Sequence, residues 1–292
     1  MSDYSAEQAP MKLREMCRTY GIRFKKGLGQ NLLLDDNINR IMAEAAALSS
    51  GDDVVEVGAG LGALTRRLAR HAGRVLAVEI DASFLPCLED QFGGMAHVKL
   101  FRGDILNHSL AALLDEYLPE GTSFKMVSNL PYYITTPVLF HFLEAPVHFS
   151  HMVVMVQQEM AQRLVAATGT PDYGALTLAA QCYAEVDIVH KAPRTCFVPR
   201  PKVDSCIVRF RCRPESPESG LDRRFFMKVV RAAFQQRRKT LRNSLTKSGG
   251  FGAPKEAVLD ALEAAALDPG RRPQSLTFED FAQLAGEIQR RL

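Results

Sequence analysis

The tetrapeptide Asn129-Leu130-Pro131-Tyr132 combines residue types suited to chemistry on an amine of a nucleobase. The exocyclic amine of adenine is a poor nucleophile because its lone pair is delocalised into the ring. The Asn129 side-chain oxygen and a neighbouring backbone carbonyl, held by the proline, can accept both amine N–H groups and favour a pyramidal, reactive nitrogen. The Tyr132 ring can stack on the base, which contributes about 1–3 kcal/mol. The tetrapeptide therefore predicts a catalytic site for such an amine, although these residues can also form a simple turn.

A glycine-rich turn and two later acids predict a nucleoside-binding site. Gly58 begins the segment 58–62, GAGLG, where the missing Cβ atoms let a ligand approach the backbone. Glu79 lies 21 residues after Gly58, at the end of the next apolar run, where a carboxylate can accept hydrogen bonds from both ribose hydroxyls. Asp104 follows a third run and can accept from an adenine amine. The glycines also fit the pattern GxGxxA, so a nicotinamide dinucleotide and a purely structural turn stay open at this point.

Apolar runs alternate with helical segments along most of the chain. The strand-like runs begin at residues 53, 74, 97, 123 and 151, and the fourth extends to residue 133. Strands that alternate with helices at this spacing indicate a parallel sheet covered on both faces, so the fold class is α/β. Residues 185–192 and 205–213 leave little room for a helix between them and predict an antiparallel hairpin at the end of the sheet.

The length of 292 residues corresponds to two domains at about 150 residues per domain. The segment 213–220, RPESPESG, is polar and rich in proline and serine, which is typical of a linker. Beyond it, Phe226 and Val230 mark a helix, and the rest of the chain is helical in pattern. We therefore expect one domain over residues 1–212 and a smaller helical domain over residues 213–292.

Positive charge is concentrated in one segment of the chain. The 36 lysines and arginines exceed the 33 acids by only three, too few to indicate a polyanionic partner. Residues 222–247, however, contain nine basic residues and one acid. Apolar positions at helical spacing leave these cations on another side of the segment, so a localised anion-binding face is expected. A solvated basic helix face is the alternative.

Composition and cysteine spacing exclude several classes of protein. Hydrophobic residues make up 47% and charged residues 24% of the chain, values typical of folded globular proteins. The first 21 residues lack the apolar core of a signal peptide, and no stretch approaches the roughly 18 apolar residues of a membrane helix. A soluble, cytoplasmic protein is expected. The six cysteines include no CxxC pair, so neither a disulfide framework nor a metal site is expected.

Taken together, the motifs resemble those of class I S-adenosylmethionine-dependent methyltransferases that act on exocyclic amines, whose amine-binding motif includes NLPY. More narrowly, the chain is similar to the KsgA family of ribosomal RNA small-subunit adenine dimethyltransferases. The segments that carry the resemblance are KKGLGQNLLLD, VVEVGAGLGALT, VEID, GDIL, NLPYYITTPVLF, FVPRPKVDS and AFQQRRKTLRNSL. The resemblance implies a Rossmann-like methyltransferase sheet with a smaller all-helical C-terminal domain.

The family implies S-adenosylmethionine as the cofactor and a set of residues that hold it. The implied cofactor-binding residues are Asn31, Leu33, Gly58, Glu79, Asp104 and Asn129. Gly58 would approach the methionine part of the cofactor, Glu79 the ribose and Asp104 the adenine. Asn31 and Leu33 would cover the cofactor. Leu32 stands where the family usually has Phe, a conservative change.

The family also implies the residues at the reacting amine. The implied catalytic residues are Asn129, Leu130, Pro131, Tyr132 and Phe197. Asn129 would contact both the cofactor and the amine, and Phe197 would form the second wall of the base pocket, opposite Tyr132. Tyr133 stands where an Asn is common and adds bulk beside the pocket.

The activity implied is the transfer of methyl groups to N6 of two adjacent adenosines near the 3′ end of 16S rRNA. The expected partner is small-subunit rRNA in a pre-30S particle, bound by a monomer. The expected RNA-binding residues are Arg237, Arg238, Lys239 and Arg242. A macrolide-resistance methylase of 23S rRNA and a non-catalytic ribosome-assembly factor of the same fold are the alternatives. The NLPY tetrapeptide disfavours a nicotinamide oxidoreductase.

Overall fold

The computed structural model describes residues 11–25, 29–33, 35–121, 123–214, 217, 220–236, 238–248 and 252–292. Its helices are α1 (Met11–Thr19), α2 (Asp36–Ala45), α3 (Ala63–His71), α4 (Leu85–Phe92), α5 (Leu110–Tyr117), α6 (Thr135–Leu143), α7 (Gln158–Leu164), α8 (Ala175–Tyr183), α9 (Arg223–Phe234), α10 (Leu241–Ser248), α11 (Lys255–Ala264) and α12 (Phe278–Gln289). Its strands are β1 (Leu32–Leu33), β2 (Asp53–Val57), β3 (Arg74–Glu79), β4 (Val98–Arg102), β5 (Phe124–Asn129), β6 (Phe149–Gln157), β7 (Ala184–Ala192), β8 (Phe197–Val198) and β9 (Ser205–Cys212).

The main sheet has the strand order β4-β3-β2-β5-β6-β9-β7. Neighbouring strands from β4 to β6 are parallel, and β9 runs antiparallel to β6. The α/β class and the mostly parallel sheet predicted from the alternating runs are thereby confirmed. Because the order reverses direction at β2, the carboxyl ends of β2 and β5 lie side by side, where open α/β sheets bind ligands.

Local sequence explains why the strands at the centre form. Every residue of β2 is buried, and Val54 and Val55 pair with Val75 and Leu76 of β3. Apolar runs of this kind suit a strand that helices cover on both faces. After β2, α3 begins at Ala63 and directs Leu64 and Leu68 into the core.

The structure differs from the predicted elements in four places. The strand predicted to reach residue 133 ends at Asn129, because Pro131 has no N–H to continue the ladder and residues 132–134 form a 3-10 helix. Three elements were not predicted: the helix α1, the helix α8 and a separate antiparallel pair of two-residue strands, β1 and β8. Strands this short carry almost no periodic signal.

The chain divides into two compact units. The first comprises residues 1–161 and 187–212, and the second comprises residues 162–186 and 213–292. Residues 162–186 fall inside the predicted first domain of 1–212, but they pack with the C-terminal helices. The cause is α8, a helix that is buried along most of its length and contacts α9 within the second unit.

Candidate active site

The carboxyl ends of β2, β3, β4 and β5 border a cavity of about 540 Å³. This volume lies within the roughly 300–1,000 Å³ of small-molecule sites. The predicted site residues in its lining are Asn31, Leu33, Gly58, Glu79, Asp104, Asn129, Leu130, Pro131 and Tyr132. The structure thus brings every predicted cofactor-binding residue to one cavity.

The glycine turn after β2 brings the main chain to the cavity wall. Gly58 and Gly60 have φ angles of 81° and 55°, in the left-handed region that favours glycine. The Gly58 N–H donates to the Val78 carbonyl at 2.8 Å. A Cβ atom at Gly58 would lie 3.5 Å from the Pro131 ring. That is an ordinary contact, whereas a Cβ atom at Gly60 would lie 3.2 Å from the Leu32 side chain and would crowd it.

Glu79 ends β3 as a buried carboxylate. One of its oxygens accepts from the Gly60 N–H and the other from the Asp81 N–H, both at 2.8 Å. Burial raises the pKa of Glu79, and the two backbone hydrogen bonds oppose the rise. Each carboxylate oxygen has a second lone pair. Glu79 therefore keeps acceptor capacity for the hydroxyl groups of a ligand.

Asp104 follows β4, where it both caps a short helix and lines the cavity. Its carboxylate accepts from the Leu106 N–H at 3.0 Å and from Asn107 Nδ2 at 3.2 Å, which caps the 3-10 helix Ile105–Asn107. This is an ordinary use of a turn acid. Asp104 also lines the cavity, and its contact with an adenine stays a prediction.

Asn129 is the last residue of β5, and the backbone of Asn31 orients its side-chain amide. Asn129 Nδ2 donates to the Asn31 carbonyl at 3.3 Å, which leaves Oδ1 as the acceptor. The Pro131 carbonyl is already used, because it accepts from the Thr135 hydroxyl at 3.2 Å. The Leu130 carbonyl has no hydrogen bond among the residues that the structure describes. Asn129 Oδ1 and the Leu130 carbonyl are therefore the acceptors available to an amine.

The two aromatic residues predicted to enclose a base have different surroundings. Tyr132 lines the cavity, and its hydroxyl lies 2.7 Å from the hydroxyl of Ser205, a buried residue at the start of β9. Phe197 is 2% exposed and pairs with Leu33 across β8 and β1. It is not part of the cavity lining in the described portion of the chain. Its role as the second wall of a base pocket stays a prediction.

Asp81 was not singled out from the sequence. It lies just after β3 and binds the side chains of Lys25 and Gln30, which precede β1. Lys25 Nζ donates to one oxygen of its buried carboxylate and Gln30 Nε2 to the other, both at 2.7 Å. Burial opposes ionisation, but these donors and Ser83 outweigh it and hold the pKa of Asp81 at about 2. The only signal in the sequence was its position two residues after Glu79.

Glu56 is a second acid that sequence reasoning missed. It lies within β2, lines the cavity and is 1% exposed. Burial raises its pKa to about 8, the nearby Glu79 adds to the rise, and a 2.6 Å hydrogen bond from Thr65 Oγ1 opposes it. Glu56 is therefore protonated at neutral pH. A glutamate between the valines of a buried strand was the available signal.

The variant Glu56→Gln should remove a pH dependence of stability. The folded pKa of Glu56 is about 8, against roughly 4.3 in an unfolded chain. Between these values the folded state holds the extra proton, so the free energy of unfolding falls as pH rises. The glutamine variant should gain stability over the wild type from about pH 5 to about pH 8, by up to a few kcal/mol. Urea unfolding at both pH values measures this, and a constant difference between the two proteins would contradict it.

The predicted RNA-binding residues belong to the second unit. Arg238 and Lys239 precede α10, and Arg242 lies in its first turn. All three are exposed, and none forms an ion pair within the described part of the chain. Exposed cations of this kind are available to phosphate groups. Arg237 lies outside the described residues.

The described residues contain neither a metal-binding cluster nor a helix that could span a membrane. No group of three or more His, Cys, Asp or Glu side chains there is arranged to hold a metal ion. No helix in the same part of the chain is long and apolar enough to cross a membrane. All six cysteines are free thiols.

Curated relatives resemble the chain over almost its whole length. The Ribosomal RNA small subunit methyltransferase A of Geobacillus thermodenitrificans is 42% identical over 280 residues, which cover 96% of each chain. The protein of the same name from Moorella thermoacetica is 43% identical over 284 residues, covering 96% of this chain and 98% of that one.

Solved structures share the fold. A dimethyladenosine transferase from Plasmodium falciparum is 25% identical with a TM-score of 0.74, covering 89% of this chain and 98% of its own. The 23S rRNA methyltransferase ErmE is 28% identical with a TM-score of 0.63, covering 88% of this chain and 99% of its own. The sheet with the site at its strand ends is therefore a class I methyltransferase fold.

A family model matches most of the chain, including residues 29–33 at the cavity and the C-terminal helices. The model is that of the ribosomal RNA adenine dimethylases, and it matches residues 21–288. The chain belongs to the ribosomal RNA adenine dimethylase family.

Proposed function

We propose that this enzyme transfers methyl groups from S-adenosylmethionine to N6 of two adjacent adenosines near the 3′ end of 16S rRNA, in ribosome biogenesis. The observation that carries the proposal is the presence of Asn129, Tyr132 and Glu79 in one cavity with the glycine turn. The names of the bacterial relatives, which specify the small subunit, support this choice of RNA. We propose that the enzyme acts in the cytoplasm as a monomer on a pre-30S particle.

The residues around the cavity fit S-adenosylmethionine. The carboxylate of Glu79 has spare lone pairs for two ribose hydroxyls, and Asp104 stands at the next strand end for an adenine amine. Gly58 and Gly60 have no side chains, so a ligand can approach their backbone, and a Cβ atom at Gly60 would lie only 3.2 Å from Leu32. Asn31 and Leu33 line the cavity from the N-terminal segment and would cover the cofactor.

The arrangement suits a direct displacement at a methyl group. Bound S-adenosylmethionine supplies a methyl group on a sulfonium, from which a neutral thioether leaves. Asn129 Oδ1 and the Leu130 carbonyl accept the two N–H groups of the amine and direct its lone pair out of the ring plane. Orientation of this kind is worth as much as about 7–11 kcal/mol in intramolecular reactions.

The target base must leave its stack to reach these acceptors, which costs a few kcal/mol. Stacking on the Tyr132 ring offsets part of that cost. The hydrogen bond between Tyr132 and Ser205 holds the ring in place before the base arrives. The Tyr132 ring is thus preorganised for stacking on the base.

Replacing Arg238, Lys239 and Arg242 with alanine should reduce the salt dependence of RNA binding. Each lost phosphate contact lowers the slope of log K against log salt by about one unit. The measurement is a titration of RNA at several salt concentrations, with S-adenosylmethionine affinity expected to stay constant. Lys255→Ala, which removes an exposed cation at the start of α11, is the matched control. An unchanged slope in the triple variant would identify the patch as a solvated helix face.

The likeness to ErmE makes large-subunit RNA the rival substrate. Transfer of labelled methyl groups to purified small-subunit particles and to large-subunit RNA separates the two. The proposal requires incorporation into 16S rRNA, and incorporation into 23S rRNA alone would overturn it. Absence of any transfer by a protein that binds S-adenosylmethionine would favour a non-catalytic assembly factor.

A further inference from the structure

Two large apolar side chains stay exposed at the cavity. Ile80 is 44% exposed and Tyr133 is 53% exposed, and both line the cavity described above. Exposed apolar surface in a concave site is typical of a region that a ligand covers. Neither the orientation of the amine nor the stacking of the base on Tyr132 uses the ring of Tyr133.

The structure defines where the Tyr133 ring lies. A Cβ atom built at Gly29 would be 3.1 Å from Tyr133 Cδ1, so the ring packs against the backbone of Gly29, which also lines the cavity. Burial raises the pKa of Tyr133, and the carboxylates of Asp104 and Glu79 raise it further, which places the phenol within electrostatic reach of both acids. These are the acids proposed for the adenine and the ribose.

Tyr133 and its neighbour Tyr132 have different surroundings. The Tyr132 hydroxyl is bonded to Ser205, whereas the Tyr133 hydroxyl has no hydrogen-bond partner among the described residues. The two rings belong to one 3-10 helix, in which consecutive side chains point in directions about 120° apart. One ring can therefore serve the base while the other serves a different part of the cavity.

We propose that Tyr133 is a cofactor-binding residue, whose ring covers the adenosine half of S-adenosylmethionine between Gly29 and the acids Glu79 and Asp104. The inference rests on the proposed function, because it assumes that this nucleoside occupies the cavity. The ring supplies an aromatic surface against the nucleoside that a small polar side chain would lack. Tyr133 thereby sets how tightly this chain holds its cofactor.

Calorimetry on two variants tests the contact. Tyr133→Asn should weaken S-adenosylmethionine binding by about tenfold, the low end of what a lost stacking contact is worth. Tyr133→Phe keeps the ring and should bind within about twofold of the wild type, since no hydrogen bond of the hydroxyl is lost. RNA affinity should be equal in all three proteins. Wild-type cofactor affinity in Tyr133→Asn would overturn the inference, as would slower methyl transfer by that variant with cofactor affinity unchanged, because the ring would then serve the target base.

A fluorescent substitution gives an independent readout. The chain contains no tryptophan, so Tyr133→Trp introduces the only indole. Its emission should change on titration with S-adenosylmethionine and saturate at the affinity that calorimetry gives for the same variant. Emission that stays constant while calorimetry detects binding would overturn the inference and leave the proposed function standing. If the wild type does not bind S-adenosylmethionine, both the inference and the proposed cofactor fail.

Discussion

Asn129→Ala should lower the rate of methyl transfer at saturating cofactor by about 10²–10³-fold, the usual effect of removing one preorganised polar group from a reacting centre. Alanine leaves only the Leu130 carbonyl to accept from the amine, so the nitrogen lone pair is no longer held out of the ring plane. The fold should persist, because Asn129 is only partly buried and the one described hydrogen bond of its side chain is the 3.3 Å contact with Asn31. Single-turnover transfer of labelled methyl groups to RNA measures the effect.

Asn129→Asp is the matched variant for this prediction. Its carboxylate still accepts from an amine, but it cannot donate to the Asn31 carbonyl that orients the native amide. It should therefore transfer methyl groups faster than Asn129→Ala and slower than the wild type. A wild-type rate in Asn129→Ala would remove the amine-orienting role from Asn129.

Glu79→Gln should weaken S-adenosylmethionine binding by about 10–100-fold, because hydrogen bonds to a charged group are worth roughly 1.5–3 kcal/mol. Glu79 accepts from the N–H groups of Gly60 and Asp81, one on each oxygen. In glutamine one of those oxygens becomes an NH₂ group that faces an N–H donor, so the variant loses acceptors for the ribose and disturbs the turn. Calorimetric titration measures the change.

The same carboxylate gives the binding a pH dependence. Burial raises the pKa of Glu79 above 4.5, the ordinary value for a glutamate. As the pH is lowered, Glu79 should therefore become protonated, and the affinity for S-adenosylmethionine should begin to fall, before pH 4.5 is reached. Glu89→Gln, an equal charge change on the exposed face of α4, is the control and should bind normally. Equal affinity in Glu79→Gln and Glu89→Gln would exclude a ribose contact by Glu79.

Much of the site could be predicted because its signals are local. Val54 and Val55 belong to an apolar run that reads as a buried strand, and Glu79 and Asn129 end two further runs of the same kind. Strand ends of a parallel sheet meet at one edge, so Glu79 and Asn129 could be assigned to one cavity. Asn31, which lies 98 residues before Asn129, was assigned to that cavity only through the resemblance to the family.

What could not be predicted depends on contacts between distant segments. The hydrogen bonds from Lys25 and Gln30 to Asp81 join residues more than 50 positions apart, and no local pattern marks such pairs. The pairing of Phe197 with Leu33 joins strands of two residues each, which are too short to show a periodic pattern, and the role of Phe197 in the base pocket stays a prediction. Side-chain exposure within a cavity, as at Tyr133, likewise depends on tertiary packing.

The most direct test of the central claim is primer extension on rRNA from a bacterial strain that lacks its own small-subunit adenine dimethyltransferase, with this chain supplied as wild type or as Asn129→Ala. Two methyl groups on N6 block base pairing, so each dimethylated adenosine stops the polymerase. The account predicts stops at two adjacent adenosines near the 3′ end of 16S rRNA with the wild type and their absence with equal amounts of Asn129→Ala. Stops confined to 23S rRNA, or identical stops with both proteins, would contradict it.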